Sequence, residues 1–311
     1  MQFIKKFFVN KKYCSLSILF SHCSINVSLA FLLSLLLANM SMLLNASATE
    51  HAVKDVLEKR IRYSFTIQNM KNKLIKSLVF KSPAPLTDHW YQKCTSFKTS
   101  HEYKMDKDLL NNQILKFDFH NIAPYEARVV YIEANIQIGA YISKKMNANY
   151  LMQSPLIESN STEIQNLSKT LKTDNIMKTA KKIFSYVSKR ISYSGYIKRD
   201  RGALYALKHK KGDCTEFAYL FTALCRASKI PARPIAGYIC EDNCLLTPVN
   251  YHTWAEFYAN NKWYLVDPQQ FVFNSRHNNY IAMQILSCDG KTLTDQLRYQ
   301  VDSSFFFVKM N

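Results

Sequence analysis

An α+β fold is the expectation for this chain of 311 residues, and three observations carry it. Amphipathic helical patterns run from about residue 175 to 228, antiparallel strand patterns follow them, and a strand-rich stretch precedes both. Hydrophobic residues make up 48% of the chain and aromatic residues 13%, enough apolar surface to offset chain entropy by burial and to exclude dominant disorder. The six glycines are spaced so that neither GxGxxG nor GxxxxGK occurs, which excludes both glycine-rich phosphate loops.

Residues 1–48 read as an export signal. Lys5, Lys6, Lys11 and Lys12 precede the first acid, Glu50; residues 29–38 are an apolar run; Ala46-Ser47-Ala48 then supplies a small-x-small cleavage pattern. The competing reading is an uncleaved anchor, since residues 27–44 approach spanning length, although Asn39 and Ser41 interrupt them. The expected location is periplasmic or extracellular, with membrane contact only through this segment if it is retained.

Residues 49–140 form the strand-rich region. Residues 62–67 and 128–132 are rich in β-branched and aromatic side chains, and Asn111-Asn112 reads as a turn feeding an alternating strand over 113–119. Strands at this spacing without helices predict a small β-sandwich. Residues 141–174 are polar, contain Pro155 and read as a connection with one short helix, for which Asn160 and Glu163 have capping-box spacing.

Residues 175–311 hold the α+β part. Ile176, Ala180, Ile183, Phe184, Val187 and Ile191 trace one helical face; after Cys214, Phe217, Leu220, Phe221, Leu224 and Cys225 trace another, which must end before Pro231. Strands are expected over 234–239, 251–258 and 263–267, the last two joined by a tight turn at Asn260-Asn261.

Three residues on these elements combine into a chemistry. Cys214 follows Gly212-Asp213 at a helix start, where the helix dipole and free backbone N–H groups favour a thiolate. His252 lies in one strand and Asp267 ends the next; neighbouring strands lie about 5 Å apart, so imidazole and carboxylate can meet. Cys214 is then the nucleophile, His252 its proton acceptor and Asp267 the group that orients the ring, with the Cys214 N–H as oxyanion donor. Trp254 reads first as core; it lies two positions from His252 and is expected to share its face, which leaves walling the site as its alternative role. Asp213 reads as an N-cap, Glu216 as solvated or paired with a lysine, Cys225 and Trp263 as core, and Asp242 as part of a turn. His51, His89, His101, His120, His209 and His277 have no partner at catalytic or ligand spacing and read as surface or structural residues.

Cys14 and Cys23 leave with a cleaved signal. Cys240 and Cys244 flank Glu241-Asp242-Asn243, and in an oxidising compartment they make a local disulfide. A zinc half-site is the alternative, but no second CxxC or His pair stands near to complete it. Cys94 and Cys288 are left open, to pair or to stay free.

The stretch Gly212-Asp213-Cys214-Thr215-Glu216-Phe217, then Ile230-Pro231-Ala232-Arg233 with Gly237-Tyr238, then His252-Thr253-Trp254-Ala255-Glu256, then Trp263-Tyr264-Leu265-Val266-Asp267-Pro268 resembles the transglutaminase-like superfamily. So do the lead-ins Ile191-Ser192-Tyr193 and Arg201-Gly202-Ala203-Leu204-Tyr205-Ala206-Leu207, which are similar to bacterial members. The resemblance spans roughly residues 175–275. It implies a papain-like core with a Cys-His-Asp triad, acyl transfer from an amide through a thioester, and an aromatic side chain near the oxyanion hole at Tyr193. It implies that the β-rich region is the accessory domain of an exported bacterial member. Animal members need calcium, but acids are scarce here and no acidic loop has ligand spacing, so neither metal nor cofactor is expected.

The net charge of +18 biases encounter toward acidic or envelope-associated protein and peptide substrates. The lysines are scattered and not interleaved with aromatics, which speaks against nucleic acid. The leading expectation is a thiol enzyme acting on peptide or isopeptide amides, with hydrolysis favoured over cross-linking because water is always present as acceptor. The alternatives are a non-catalytic envelope-binding module that retains the fold, and a scaffold in which the β domain does the work.

Overall fold

The computed structural model describes residues 56–139, 146–196, 199–287 and 298–311. The expected signal segment, with Cys14 and Cys23, and Cys288 lie outside these residues. The chain forms β1 (Leu57–Asn69), β2 (Ile75–Pro83), β3 (Gln92–Thr99), β4 (Lys104–Lys107), β5 (Gln113–Ile122) and β6 (Ala127–Ile138). Helices α1 (Thr162–Leu171) and α2 (Ile176–Arg190), β7 (Ser192–Tyr193), α3 (Gly202–His209), β8 (Lys211–Gly212) and α4 (Cys214–Ala227) follow. The last part is β9 (Ala232–Ile239), β10 (Cys244–Leu245), β11 (Tyr251–Ala259), β12 (Lys262–Asp267), β13 (Val272–Phe273), β14 (Tyr280–Ile285), β15 (Gln300–Val301) and β16 (Phe306–Met310). The α+β class is therefore observed.

The sandwich has two sheets, one in the order β10-β1-β6-β3 with β16 also on β1, the other β15-β2-β5-β4. β1 shows why it folds this way. Ile61, Tyr63, Phe65 and Ile67 are all at most 2% exposed, while Arg60 and Arg62 between them face solvent, the period-two alternation of a half-buried strand. Asn111 adopts a left-handed backbone in the turn that leads into β5. The sandwich also takes in β15 and β16 from the end of the chain, and β10 from the segment ahead of His252.

The third sheet, β13-β12-β11-β9-β14, is antiparallel throughout. Asn260 and Asn261 are both left-handed, the geometry a two-residue hairpin needs to match strand twist. One face of this sheet packs on the helices and the other on the sandwich: Ala255 and Phe257 join the helical core, whereas Trp254, Tyr280 and Ile281 join the core of the sandwich. The β-rich region thus supplies half the cover of the sheet.

α4 is the central helix. The sequence suggests one apolar face, but every residue from Thr215 to Arg226 is buried, because α1, α2 and α3 surround it on the sides that the sheet leaves open; a helix covered on all sides is core. Its capping box joins Asp213, whose side chain accepts from the Thr215 N–H at 2.9 Å, to Glu216, which accepts from the Asp213 N–H at 2.9 Å. Glu216 is therefore not solvated or lysine-paired: it is fully buried and also accepts from the Arg201 N–H at 2.8 Å. A methyl group at Gly212 would overlap the Cβ of Glu216, so glycine is required where the chain turns into this helix. The cap of α1 is Ser161, which accepts from the Ile164 N–H at 3.3 Å, one residue beyond the expected Asn160. α3 was not legible in the sequence: it has eight residues and no side-chain cap hydrogen bond.

Two buried charges tie the sandwich to the sheet. The Lys59 ammonium donates to the carbonyls of Cys240, Glu241 and Asn278 at 2.6–2.7 Å, spending all three of its donors. Glu256 has no exposure and is ringed by donors: Arg233 at 2.8 Å, Trp90 Nε1 at 2.9 Å and His89 Nε2 at 3.0 Å. The Arg233 guanidinium lies over the Trp263 ring at 4.1 Å. His89 therefore has a partner that spacing could not show. Burial lowers the titration of His89, so the positive charge beside Glu256 at neutral pH is that of Arg233, and His89 donates as a neutral ring. Burial alone would raise Glu256, but His89, Arg233 and Trp90 outweigh it and hold the carboxyl at about 2.

A folded-state value below the ordinary 4.5 means that Glu256 contributes stability above about pH 4.5, and that this contribution is lost as pH falls toward 2. Glu256→Gln is expected to lower unfolding free energy at pH 7 by about 3–5 kcal/mol, because it strands the Arg233 charge. It should also flatten the acid limb below pH 4.5. Urea unfolding of both proteins from pH 7 to 3 checks this, and parallel acid limbs would refute it.

Candidate active site

The three residues singled out in the sequence converge. In β11 and β12, Ala255 pairs with Val266, so the register carried one step further brings Asp267 level with Trp254. His252 is then the diagonal neighbour of Asp267 on the same face, within reach of a long side chain. The contact is direct: His252 Nε2 lies 2.6 Å from Asp267 Oδ2. The Cys214 sulfur is close enough to the ring to raise its titration. The Asp267 contact holds Nε2 and so sets the orientation of the ring, with Nδ1 turned away from the carboxylate.

Asp267 has no exposure and accepts four hydrogen bonds. Oδ2 receives His252 and the Tyr280 hydroxyl at 2.9 Å; Oδ1 receives the backbone N–H groups of Gln269 and Gln270, both at 3.1 Å. Tyr280 is the residue that sequence reasoning missed. It stands on β14, at the sheet edge beyond β9, in a strand with no polar signature; only the order of strands in the sheet brings it to Asp267. Trp254 shares the face of His252, as expected, but is fully buried and packs edge-on against Tyr280 at 5.0 Å. It backs the imidazole from behind and does not wall the cleft. A Cβ at Gly237 would run into the Ile281 carbonyl and the Trp254 ring, so the strand behind His252 also needs a glycine.

Burial by itself would lower the titration of His252. The Asp267 carboxylate and the Cys214 sulfur outweigh it and hold the imidazole up to about 10. The ring is therefore an imidazolium at neutral pH.

Cys214 is half-exposed and lies in a cleft of about 330 Å³ bordered by Tyr193, Tyr196, Pro248, Val249 and Tyr251. Tyr193 is 56% exposed at the rim, on the short strand that pairs Tyr193 with Gly212, where the resemblance places an aromatic. Pro248 and Val249 come from the segment that Cys240 and Cys244 precede. These two cysteines are disulfide-bonded, and Cys244 pairs with Ile61 of the sandwich, so the bridge anchors the chain that walls the cleft. Cys94 is a buried free thiol, pushed up to about 12 by burial, and Cys225 is core. Among the described residues no cluster of His, Cys, Asp and Glu could hold a metal ion, and no helix is long and apolar enough to cross a membrane.

Residues 164–268, a stretch that contains all three residues, match the family described as the transglutaminase-like superfamily. Among solved structures the chain is similar to a candidate cysteine protease from Cytophaga hutchinsonii, with 18% identity and a TM-score of 0.59, over 83% of this chain and 91% of that one. It is also similar to the periplasmic domain of TgpA from Pseudomonas aeruginosa bound to ethylmercury, with 14% identity and a TM-score of 0.38, over 68% of this chain and 90% of that one. No curated protein matches the chain.

A folded-state value above the ordinary 6.5 means that His252 contributes stability below about pH 6.5, and that this contribution is lost as pH rises through 10. Asp267→Asn removes the larger support of the imidazolium. The His252 ring resonance, followed by NMR, should then titrate well below 10, and the alkaline loss of stability should move down with it. A His252 titration that ignores the substitution would rule out the pairing.

Proposed function

We propose, from the premise that this chain carries a transglutaminase-like domain over residues 164–268, that it is an exported thiol enzyme acting on peptide or isopeptide amides. The observation that carries the reading is the linked set Cys214, His252 and Asp267, with the thiol at a helix start and facing open cleft. Cys214 Sγ attacks the carbonyl carbon of the amide, and the oxyanion that forms meets the Cys214 N–H, which at the first helical position has no helical acceptor. The imidazolium of His252 gives its proton to the departing amine, the C–N bond breaks, and a thioester remains on Cys214. His252 then takes a proton from water as the water oxygen attacks the thioester; the C–S bond breaks, releasing the acid and returning the thiolate beside the imidazolium. Asp267 holds the ring in one orientation throughout.

Hydrolysis is favoured over cross-linking, since water is always present as acceptor and needs no dedicated site. Export is supported by the basic leader, apolar run and Ala46-Ser47-Ala48 of the sequence and by the Cys240–Cys244 bridge, which suits an oxidising compartment.

The test is the rate of iodoacetamide alkylation of the purified protein between pH 5 and 9, with the modified cysteine located by mass spectrometry. Cys214 should be the site. His252→Ala should slow the reaction at pH 7 severalfold, since it removes the group that partners the sulfur. Peptide amides should be turned over by the native protein and not by Cys214→Ala. A Cys214 that alkylates at the same rate with and without His252 would leave the binding-module reading in its place.

A further inference from the structure

Among the described residues the cleft over Cys214 has one cation in its lining, Arg298, a residue outside the stretch that matches the family. Tyrosine, proline, valine and Thr215 line the rest, with Asp213 almost wholly buried beneath as the helix cap. Among the described residues no carboxylate lies within ion-pair distance of Arg298. Its guanidinium stands over the Tyr251 ring, 5.5 Å from the centroid. That contact holds the group in place without neutralising it.

Further donors gather at the same end of the cleft. The Tyr251 hydroxyl and the Gln284 side-chain nitrogen are buried and have no hydrogen-bond partner. Both residues border a small cavity that Arg298 also lines, next to the cleft. Burial keeps the Tyr251 hydroxyl protonated, raising it well above its ordinary value, so it remains a donor. Among the described residues the guanidinium has no ion-pair partner and two buried donors beside it lack hydrogen-bond partners, and such groups call for an explanation.

We propose that Arg298 binds a carboxylate of the acyl-donor peptide, so that the substrate of Cys214 carries a negative charge close to the amide that is attacked. This rests on the thiol-enzyme reading above. The guanidinium fork matches a carboxylate with two parallel N–H donors. The carboxylate comes either from an acidic side chain or from a free chain terminus, and both present the same two oxygens. Arg298 is on this account a specificity residue: the triad supplies the reaction, and Arg298 selects among amides by the charge beside them.

Two small alkylating agents of nearly equal size separate this from the general reactivity of the thiol. Iodoacetate carries a carboxylate and iodoacetamide does not. The iodoacetate-to-iodoacetamide rate ratio at Cys214 should fall about tenfold in Arg298→Gln, the worth of one charge-assisted hydrogen bond, and Arg298→Lys should keep most of the native ratio. Any contribution of the His252 imidazolium is common to all three proteins and cancels. A ratio unchanged in Arg298→Gln overturns the proposal while leaving the thiol enzyme standing. A Cys214 inert to both reagents removes the enzyme reading and this proposal with it. Fluorogenic peptide amides then identify the source. Loss of Glu-over-Gln preference in Arg298→Gln assigns an acidic side chain; loss of preference for a free over an amidated terminus assigns the chain end. Loss of neither preference overturns the substrate assignment.

Discussion

A carboxylate with no access to water must be fully hydrogen-bonded or must not be ionised, and Asp267 meets the first condition with four donors. Each comes from a different constraint. The two backbone N–H groups require the chain to turn directly after Asp267-Pro268. His252 requires the register of β11 against β12. Tyr280 requires β14 to lie at the far edge, beyond β9, with its side chain on the same face. The imidazole is thus positioned by the whole sheet, and what the sheet fixes is the orientation of the ring.

The sulfur is fixed from the other side. α4 is buried along its length, and the capping box of Asp213 and Glu216 sets where its first turn begins. Glu216 is itself held by the Arg201 N–H, which ties the start of α3 to the start of α4. Cys214 and His252 therefore sit on two separate elements, helix and sheet, whose packing at Ala255 and Phe257 sets the distance between them. The sandwich closes the opposite face. Trp254, behind His252, is covered by the same core that contains Phe65 and Phe80, and the Glu256 cluster borrows His89 and Trp90 from the segment before β3. Removing the β-rich region would expose this face, so its first physical role is to complete the fold that holds the site.

The sequence was most informative where a local rule and a chemical role coincide. Cys214 was legible because a helix start favours a thiolate, and His252 and Asp267 because a hairpin with a two-asparagine turn brings its strands together. The Cys240–Cys244 bridge was legible from spacing, and the sandwich from the β-branched and aromatic content of β1 and β6 and the alternation in β5. What stayed hidden depends on tertiary order. Glu216 reads as one more surface acid until its capping role and burial are seen, and Glu256 and Arg233 read as ordinary strand residues although they form a buried pair across β9 and β11. Trp254 reads as core and is core; its alternative as a wall of the site fails because period two gives the side of the sheet, not whether that side is covered. Tyr280 and Arg298 lie beyond the motif residues, and no spacing in the chain announces that either returns to the site.

This division has a functional consequence. The groups assigned to the reaction are buried or capped, and each is over-determined by several elements, so their geometry tolerates little change. The groups that would meet a substrate are carried by shorter or looser pieces: Tyr193 and Tyr196 around a two-residue strand, Pro248 and Val249 after the disulfide turn, and Arg298 just ahead of the last two strands. Val249 is 92% exposed and Tyr196 is 73% exposed, so changes there cost little folding energy. A fold built this way can keep one reaction and change its substrate by altering side chains at the rim. On the proposal made here Arg298, held over a tyrosine ring and, among the described residues, without a carboxylate at ion-pair distance, is the rim residue that limits what such a substrate could be.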